Sequence, residues 1–417
     1  MVWKLGKCSK EQKNGKTKSL YMFFRYVDIF YFSIGMKAYD RALSSTTANT
    51  TDWRKTILRI YFIFQMLNLN LTLLSELIYV FLAFSTGNNF LEATMNLSFI
   101  GFVVVGDIKI QHIWGKRGHI TKVVQRLQLL HPVTADQQKE YRLNDYLRGY
   151  RNVSIFYFGM HMVLIWTYNL YWVVYYLVCD LWLGIRHFER TLPYYCWTPW
   201  NWKTNWSYYV MYVSQNIAAQ TCLSGQLAAD MLMCALVTLL IMHFKQLSRQ
   251  IEQHVAGLQS ADQDLSFLQR SIAYHQQLLC LSQDINRIFG VSLFCNFASS
   301  SFIICFVIFQ ITIGGNIDNL VMLMLFLFCA MVQVFMIGSY AQSLINSSEL
   351  IGQAVYNHNW YLSDLRYRKL MLLIMQRAQR PSYLRATNFL NVSLVTVTDL
   401  LQVSYKFFAL LRTMYSQ

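Results

Sequence analysis

The sequence predicts an all-α integral membrane protein with seven transmembrane helices, a cytoplasmic N-terminus and an extracellular C-terminus. Three observations carry this: a composition suited to lipid, seven long apolar runs, and basic residues gathered on one side of those runs. Charged residues make up 14% of the chain, apolar residues 55% and aromatics alone 16%. A soluble domain carries about 25% charged and roughly 45–50% apolar residues. No polar linker divides the chain, so 1–417 reads as a single domain.

Crossing the hydrocarbon core takes roughly 20 apolar residues in a helix. Seven segments meet that length: about 57–84, 90–114, 153–178, 206–243, 289–314, 319–346 and 388–411. Transmembrane strands are excluded by the absence of ten-residue alternation broken by turn signals. The earlier apolar run, "LYMFFRYVDIFYFSIGM" (20–36), contains Arg25 and Asp28 and lacks a small-residue cleavage site. It is expected to be an interfacial or re-entrant helix within a cytoplasmic N-terminal stretch, 1–56, and not a leader.

Lys and Arg near the span ends set the direction. With the N-terminus inside, thirty of the 36 basic residues fall on cytoplasmic segments and four outside. The seventh crossing then leaves the C-terminus outside, opposite to a G-protein-coupled receptor. Pro132, Pro193, Pro199 and Pro381 all lie outside the spans, so the proline-kinked late helices of that class are missing as well. The cytoplasmic stretches 115–152 and 244–288 keep apolar residues at three- and four-residue steps, which predicts helices continuing out of the membrane into a cytosolic packing domain. A further cytosolic helix is expected over 362–376.

The net charge of +15 would suit nucleic acid, but the basic residues border apolar segments, so lipid is the expected partner and nucleic acid is not. The nine cysteines form no CxxC pair and no zinc spacing. No Walker loop, G-x-S-x-G, HExxH or carboxylate pair occurs. Neither enzyme chemistry, a catalytic residue, a cofactor nor a metal is expected.

Two candidate sites remain. In the third span Tyr168, Tyr171, Trp172 and Tyr175 fall on one helical stripe, and Tyr208 and Tyr212 open the fourth. Such a set lines a pocket for a small, mostly apolar ligand, or else forms an aromatic belt at the headgroups. The outer loop 179–205 is aromatic and proline-bearing, which predicts a folded lid. Cys179 and Cys196 both lie in it and can pair or stand as two thiols. Asn205 is the one N-x-S/T acceptor that the topology leaves outside, a candidate for glycosylation.

In the last span Asn388, Asn391, Thr398, Gln402 and Tyr405 recur at three- and four-residue steps, with Asp399 and Lys406 alongside. Polar and ionisable residues at membrane depth face a cavity or pore by default; alternatively Asp399 and Lys406 satisfy each other. Phe408 and Leu411, just outward, are candidates for an apolar gate.

The same regions carry a resemblance. "LPYYCWTPWNW" followed by "YVMYVSQ", then "SSELIGQAVYNHNWY" (347–361), "RKLMLLIMQRAQRP" (368–381) and the ending "SYKFFALLR" (404–412), resemble the insect odorant receptors in order and spacing over the whole chain. The resemblance implies an odorant-gated, non-selective cation channel in the plasma membrane of olfactory sensory neuron dendrites. It implies a tetramer formed with a shared olfactory co-receptor, small volatile odorants bound among the second to sixth spans in the outer half, and a pore lined by the last span. It further implies subunit contacts at Tyr356, Trp360, Arg377, Gln379 and Pro381. The compact 244–288 segment is similar to a ligand-tuned subunit, not to the co-receptor with its long insertion. A gustatory-type channel is the second reading, although Leu411 and Arg412 stand where that class has Gln-Phe. A secondary transporter is the third; it requires inverted repeats and broken mid-membrane helices, and neither is found.

Overall fold

In the computed structural model ten α-helices follow one another among the described residues, and a two-stranded ribbon precedes the last. The described residues are 17–41, 52–86, 90–176, 178, 182, 191–201, 206–257, 260–313, 317–387 and 389–415. The helices are α1 (Arg25–Ser33), α2 (Asp52–Thr86), α3 (Phe90–Leu130), α4 (Ala135–Glu140), α5 (Leu143–Tyr176), α6 (Ser207–Gln253), α7 (Ala261–Ile313), α8 (Ile317–Asn357), α9 (Leu365–Ala378) and α10 (Leu394–Tyr415). Seven of these, α2, α3, α5, α6, α7, α8 and α10, are long and apolar enough to cross a membrane.

At 1.5 Å per residue the 47 residues of α6 and the 53 of α7 run roughly 70 and 80 Å. That is more than twice the hydrocarbon thickness. Their basic-end halves therefore project beyond it, where α9 packs against α7 and α8, and α4 packs against α5.

The core is organised around α6. Its most apolar 18-residue window is 100% buried, against 22% for α2 and for α10. So α6 is ringed by protein, whereas α2 and α10 each turn most of their surface outward. Small side chains make the enclosure possible. A Cβ on Gly225 would run into Ile110, and one on Gly106 into the Cys222 sulfur, so α3 and α6 approach closely only because both positions lack a side chain. The segment ahead of α2 also joins this core. Phe23, Phe24, Val27 and Tyr31 are buried, while Ile29 and Phe32 are exposed on the opposite face.

Local signals account for the helix ends. Thr134 and Gln137 form a reciprocal capping box that starts α4. The Asp364 carboxylate accepts from the Leu365 amide at the head of α9. α9 ends at Ala378, ahead of Pro381, which has no amide hydrogen to continue the ladder.

Between α9 and α10 the chain departs from the purely helical expectation. β1 (Leu384–Ala386) pairs antiparallel with β2 (Leu390–Val392), matching Leu384 with Val392 and Ala386 with Leu390. Leu384, Ala386 and Val392 are buried. Asn286 of α7 fastens the ribbon, donating to the Tyr383 carbonyl at 2.9 Å and accepting from the Arg385 amide at 3.1 Å. Thr387 turns the chain at φ 64°, a left-handed conformation uncommon for a β-branched residue. The last helix consequently starts at Leu394 and not at 388.

Candidate ligand cavity and pore helix

A partly enclosed cavity of about 40 Å³ lies in the half of the bundle nearest the 191–201 loop. α2, α3, α5, α6 and α8 all contribute to its wall. Four rings form one end. The Phe99 ring meets Tyr168 edge-on at 4.8 Å and Tyr194 at 5.4 Å, and lies 5.3 Å from Phe326. Tyr168 and Tyr194 are stacked at 6.2 Å. Such edge-to-face and offset arrangements suit the ring quadrupoles and bury large areas. Leu69, Val103, Ile165 and Ala219 continue the apolar wall, and Glu76 of α2 interrupts it.

The described part of the loop, 191–201, is tied to the helices by backbone-directed hydrogen bonds. Gln215 of α6 grips Tyr194 at both ends, accepting from its amide at 3.4 Å and donating to its carbonyl at 3.0 Å. Asn96 of α3 donates to the Tyr195 carbonyl at 2.9 Å, and the Trp197 amide donates to the Ser75 carbonyl of α2 at 3.1 Å. Cys196 is a buried thiol in this loop, and Cys179, its partner in the pairing considered from the sequence, lies outside the described residues. Burial, helped by the nearby Glu76 carboxyl, pushes that thiol up to about 12.

Since only the thiolate reacts, its fraction near neutral pH is on the order of 10⁻⁵, rising to about 10⁻³ near pH 9. A membrane-impermeant methanethiosulfonate applied on the loop side is therefore expected to leave Cys196 unmodified in the resting protein. Rapid labelling of Cys196 at neutral pH, read by mass spectrometry, would show that the lid is open at rest.

Beneath the cavity sits a buried polar junction. Lys109 of α3 pairs with Asp230 of α6 at 2.7 Å, and both side chains are almost wholly buried. The Lys109 ammonium also donates to Asn296 Oδ1 of α7 at 2.9 Å. Tyr157 of α5 and Gln333 of α8 donate to Asp230 Oδ2 at 3.1 and 2.8 Å. Five helices thus meet on one ion pair.

The sequence comparisons agree with this architecture. The 7tm Odorant receptor family profile matches residues 89–405. The chain belongs to the odorant receptor family. It is 65% identical over 407 residues to putative odorant receptor 85d of Drosophila melanogaster, covering 98% of this chain and 97% of that protein. Odorant receptor 85b of the same species is 42% identical over 395 residues, covering 94% and 99%. The fold is that of the olfactory receptor OR5 from Machilis hrabei solved in complex with eugenol, with TM-score 0.80 at 13% identity and coverage of 95% and 98%. The family is one of multi-pass membrane receptors and not of enzymes. Membership also decides between the odorant and gustatory readings of the C-terminal segment.

Within this odorant receptor the residues predicted for the ligand site divide. Tyr168 lines the cavity. Tyr212 lines a separate, open groove of about 400 Å³ between α2, α5 and α6, and its hydroxyl donates to the Asn169 carbonyl at 2.5 Å. Tyr208 donates to the Thr191 carbonyl at 3.1 Å and so braces the lid. Tyr171 packs, half-buried, against the main core. The side chains of Trp172 and Tyr175, and the whole of Cys179 and Asn205, lie outside the described residues. Phe99, Tyr194 and Glu76 were missed by sequence reasoning. Glu76 alone carried a signal, as a carboxylate inside an apolar run.

Along α10, Val397, Leu400, Ser404 and Phe408 are buried, while Thr398, Asp399, Gln402 and Tyr405 are exposed in the single chain. Ser404 shares a hydrogen bond of 3.1 Å with Ser301 of α7. Phe408 turns toward Cys305 and Phe309 of α7, and Leu411 half-covers the same cluster. Asn391 stands on β2, exposed but off the helix, and Asn388 is outside the described residues. Of the expected contact residues, Tyr356, Arg377 and Gln379 are exposed, and Trp360 and Pro381 half-buried. Leu365, Leu372 and Leu373 add exposed apolar surface on α9 beside them.

Proposed function

We propose that this chain is the ligand-tuned subunit of an odorant-gated, non-selective cation channel, working in a tetramer with a shared co-receptor. The observation that carries this reading is the separation of two surfaces. One is a lidded aromatic cavity, and the other is the outward polar face of α10, formed by Thr398, Asp399, Gln402 and Tyr405. Polar side chains at membrane depth are costly against lipid. A neighbouring subunit and a water-filled axis remove that cost. The exposed apolar side chains of Tyr356, Leu365, Leu372 and Leu373 at the basic end supply a contact surface for assembly. The basic residues favour a cytoplasmic position for that end.

The cavity's size suggests how binding reaches the pore. An engineered cavity that takes up benzene measures about 150 Å³, so a volatile molecule must push apart walls that enclose about 40 Å³. α8 supplies Phe326 to the cavity and, through Gly338, sits close against Val397 of α10. Expansion of the cavity therefore bears on the pore helix through one intervening helix.

Current recording in cells with and without the co-receptor tests the proposal. Odorant-evoked cation current is expected only with both subunits, at unchanged delay when G-protein signalling is blocked. Loss of the current under that block would overturn the channel reading.

A further inference from the structure

Glu76 is 3% exposed, lines the cavity, and its Oε2 atom has no hydrogen-bond partner among the described residues. Two of the other polar side chains of the wall are engaged elsewhere. Gln215 holds both ends of the Tyr194 backbone, and the Thr72 hydroxyl donates to the Asn68 carbonyl at 2.9 Å. No Lys or Arg lines the cavity, so no cation of the wall answers the carboxyl. A buried acceptor left unmatched destabilises the empty cavity, and a ligand that matches it recovers that loss on binding. Glu76 stands seven residues from Leu69 and four from Thr72, so all three share the helical face that α2 turns to the cavity.

The chemistry of the carboxyl narrows the ligand. It accepts a hydrogen bond whether ionised or neutral, but donates only when neutral. The group it recognises in either state is therefore an O–H or N–H. The rest of the wall offers an apolar, aromatic bed for a short chain or a single ring.

We propose that Glu76 is the specificity-determining residue of this cavity, accepting a hydrogen bond from the hydroxyl or amino group of a small odorant whose apolar body packs against Phe99 and Tyr168. The receptor is thereby tuned to alcohols and amines over the same skeletons with that group capped. This rests on the cavity being the odorant site.

The test is dose–response recording of the chain with its co-receptor. The panel pairs small alcohols with their methyl ethers and acetate esters, and anilines, which stay uncharged at neutral pH, with their N,N-dimethyl analogues. The wild type is expected to respond to the donor of each pair at concentrations at least tenfold lower. Glu76→Gln keeps an acceptor and is expected to stay within about threefold. Glu76→Leu is expected to erase the preference, weakening donors about tenfold and sparing the capped members. Phe99→Ala is the control for the cavity itself and should weaken both members of every pair.

A wild type that favours the capped analogues overturns the proposal without any variant. So does an unchanged donor-to-capped ratio in Glu76→Leu at normal surface level. If Phe99→Ala shifts every odorant while Glu76→Leu changes no ratio, only the role of Glu76 fails. If neither variant alters any response, the cavity is not the odorant site and both readings fall together.

Discussion

Lys109→Met and Asp230→Leu are each expected to abolish delivery of the receptor to the cell surface. Each change strips one member from a pair that is 2.7 Å apart and almost wholly enclosed. The remaining charge then has no counter-ion in a low-dielectric interior. Breaking a buried pair from one side costs about 3–5 kcal/mol, against a total stability of about 5–15 kcal/mol for an ordinary domain. The loss is compounded by topology, because Tyr157 and Gln333 donate to Asp230 and Asn296 accepts from Lys109. The double variant carrying both changes leaves no orphaned charge. It should lie closer to wild type than either single variant, both in surface biotinylation and in the melting temperature of detergent-solubilised protein. Two single variants with wild-type melting and surface level would show that the junction contributes nothing to the fold.

This junction also marks how far the sequence alone reaches. Seven helices are legible because span length is a property of each run by itself. The long extensions of α6 and α7 are legible because their three- and four-residue periodicity continues past the apolar stretch. Partnership between helices is different in kind. Lys109 and Asp230 each stand out as an ionisable residue in an apolar run, yet they are 121 positions apart. Only the three-dimensional arrangement shows that they meet.

The aromatic stripe on α5 meets the same limit. Helical spacing puts Tyr168 and Tyr171 on one side of α5 but does not say what lies opposite. Tyr168 faces Phe99 and Tyr194 in the cavity wall, whereas Tyr171 packs into the adjoining core. The ribbon before α10 escaped because three-residue strands are too short for alternation to register. Its stability comes from Asn286, nearly a hundred positions earlier in the chain.

Gln402→Lys is expected to cut odorant-evoked cation current severalfold while surface level and the half-maximal odorant concentration stay as in wild type. In α10 the buried positions 397, 400, 404 and 408 hold the helix against α7 and α8, and Gln402 projects from the other side. A positive charge added there repels cations on a pore axis without disturbing the packed face. At about 8 Å and an effective dielectric of about 20 the repulsion is at most about 2 kcal/mol, and a wet pore screens it to a fewfold effect. Asp399, one turn earlier and also exposed, provides the opposite sign. Asp399→Asn should reduce single-channel conductance and weaken the preference for cations over anions, again with odorant rank order intact. The lipid alternative makes a different forecast, since lysine at membrane depth costs about 2.5–3.5 kcal/mol in insertion. If this face met acyl chains, Gln402→Lys would lower surface level and leave the conductance of the surviving channels untouched. Single-channel recording alongside surface labelling separates the two, because the pore reading moves only the first and the lipid reading only the second.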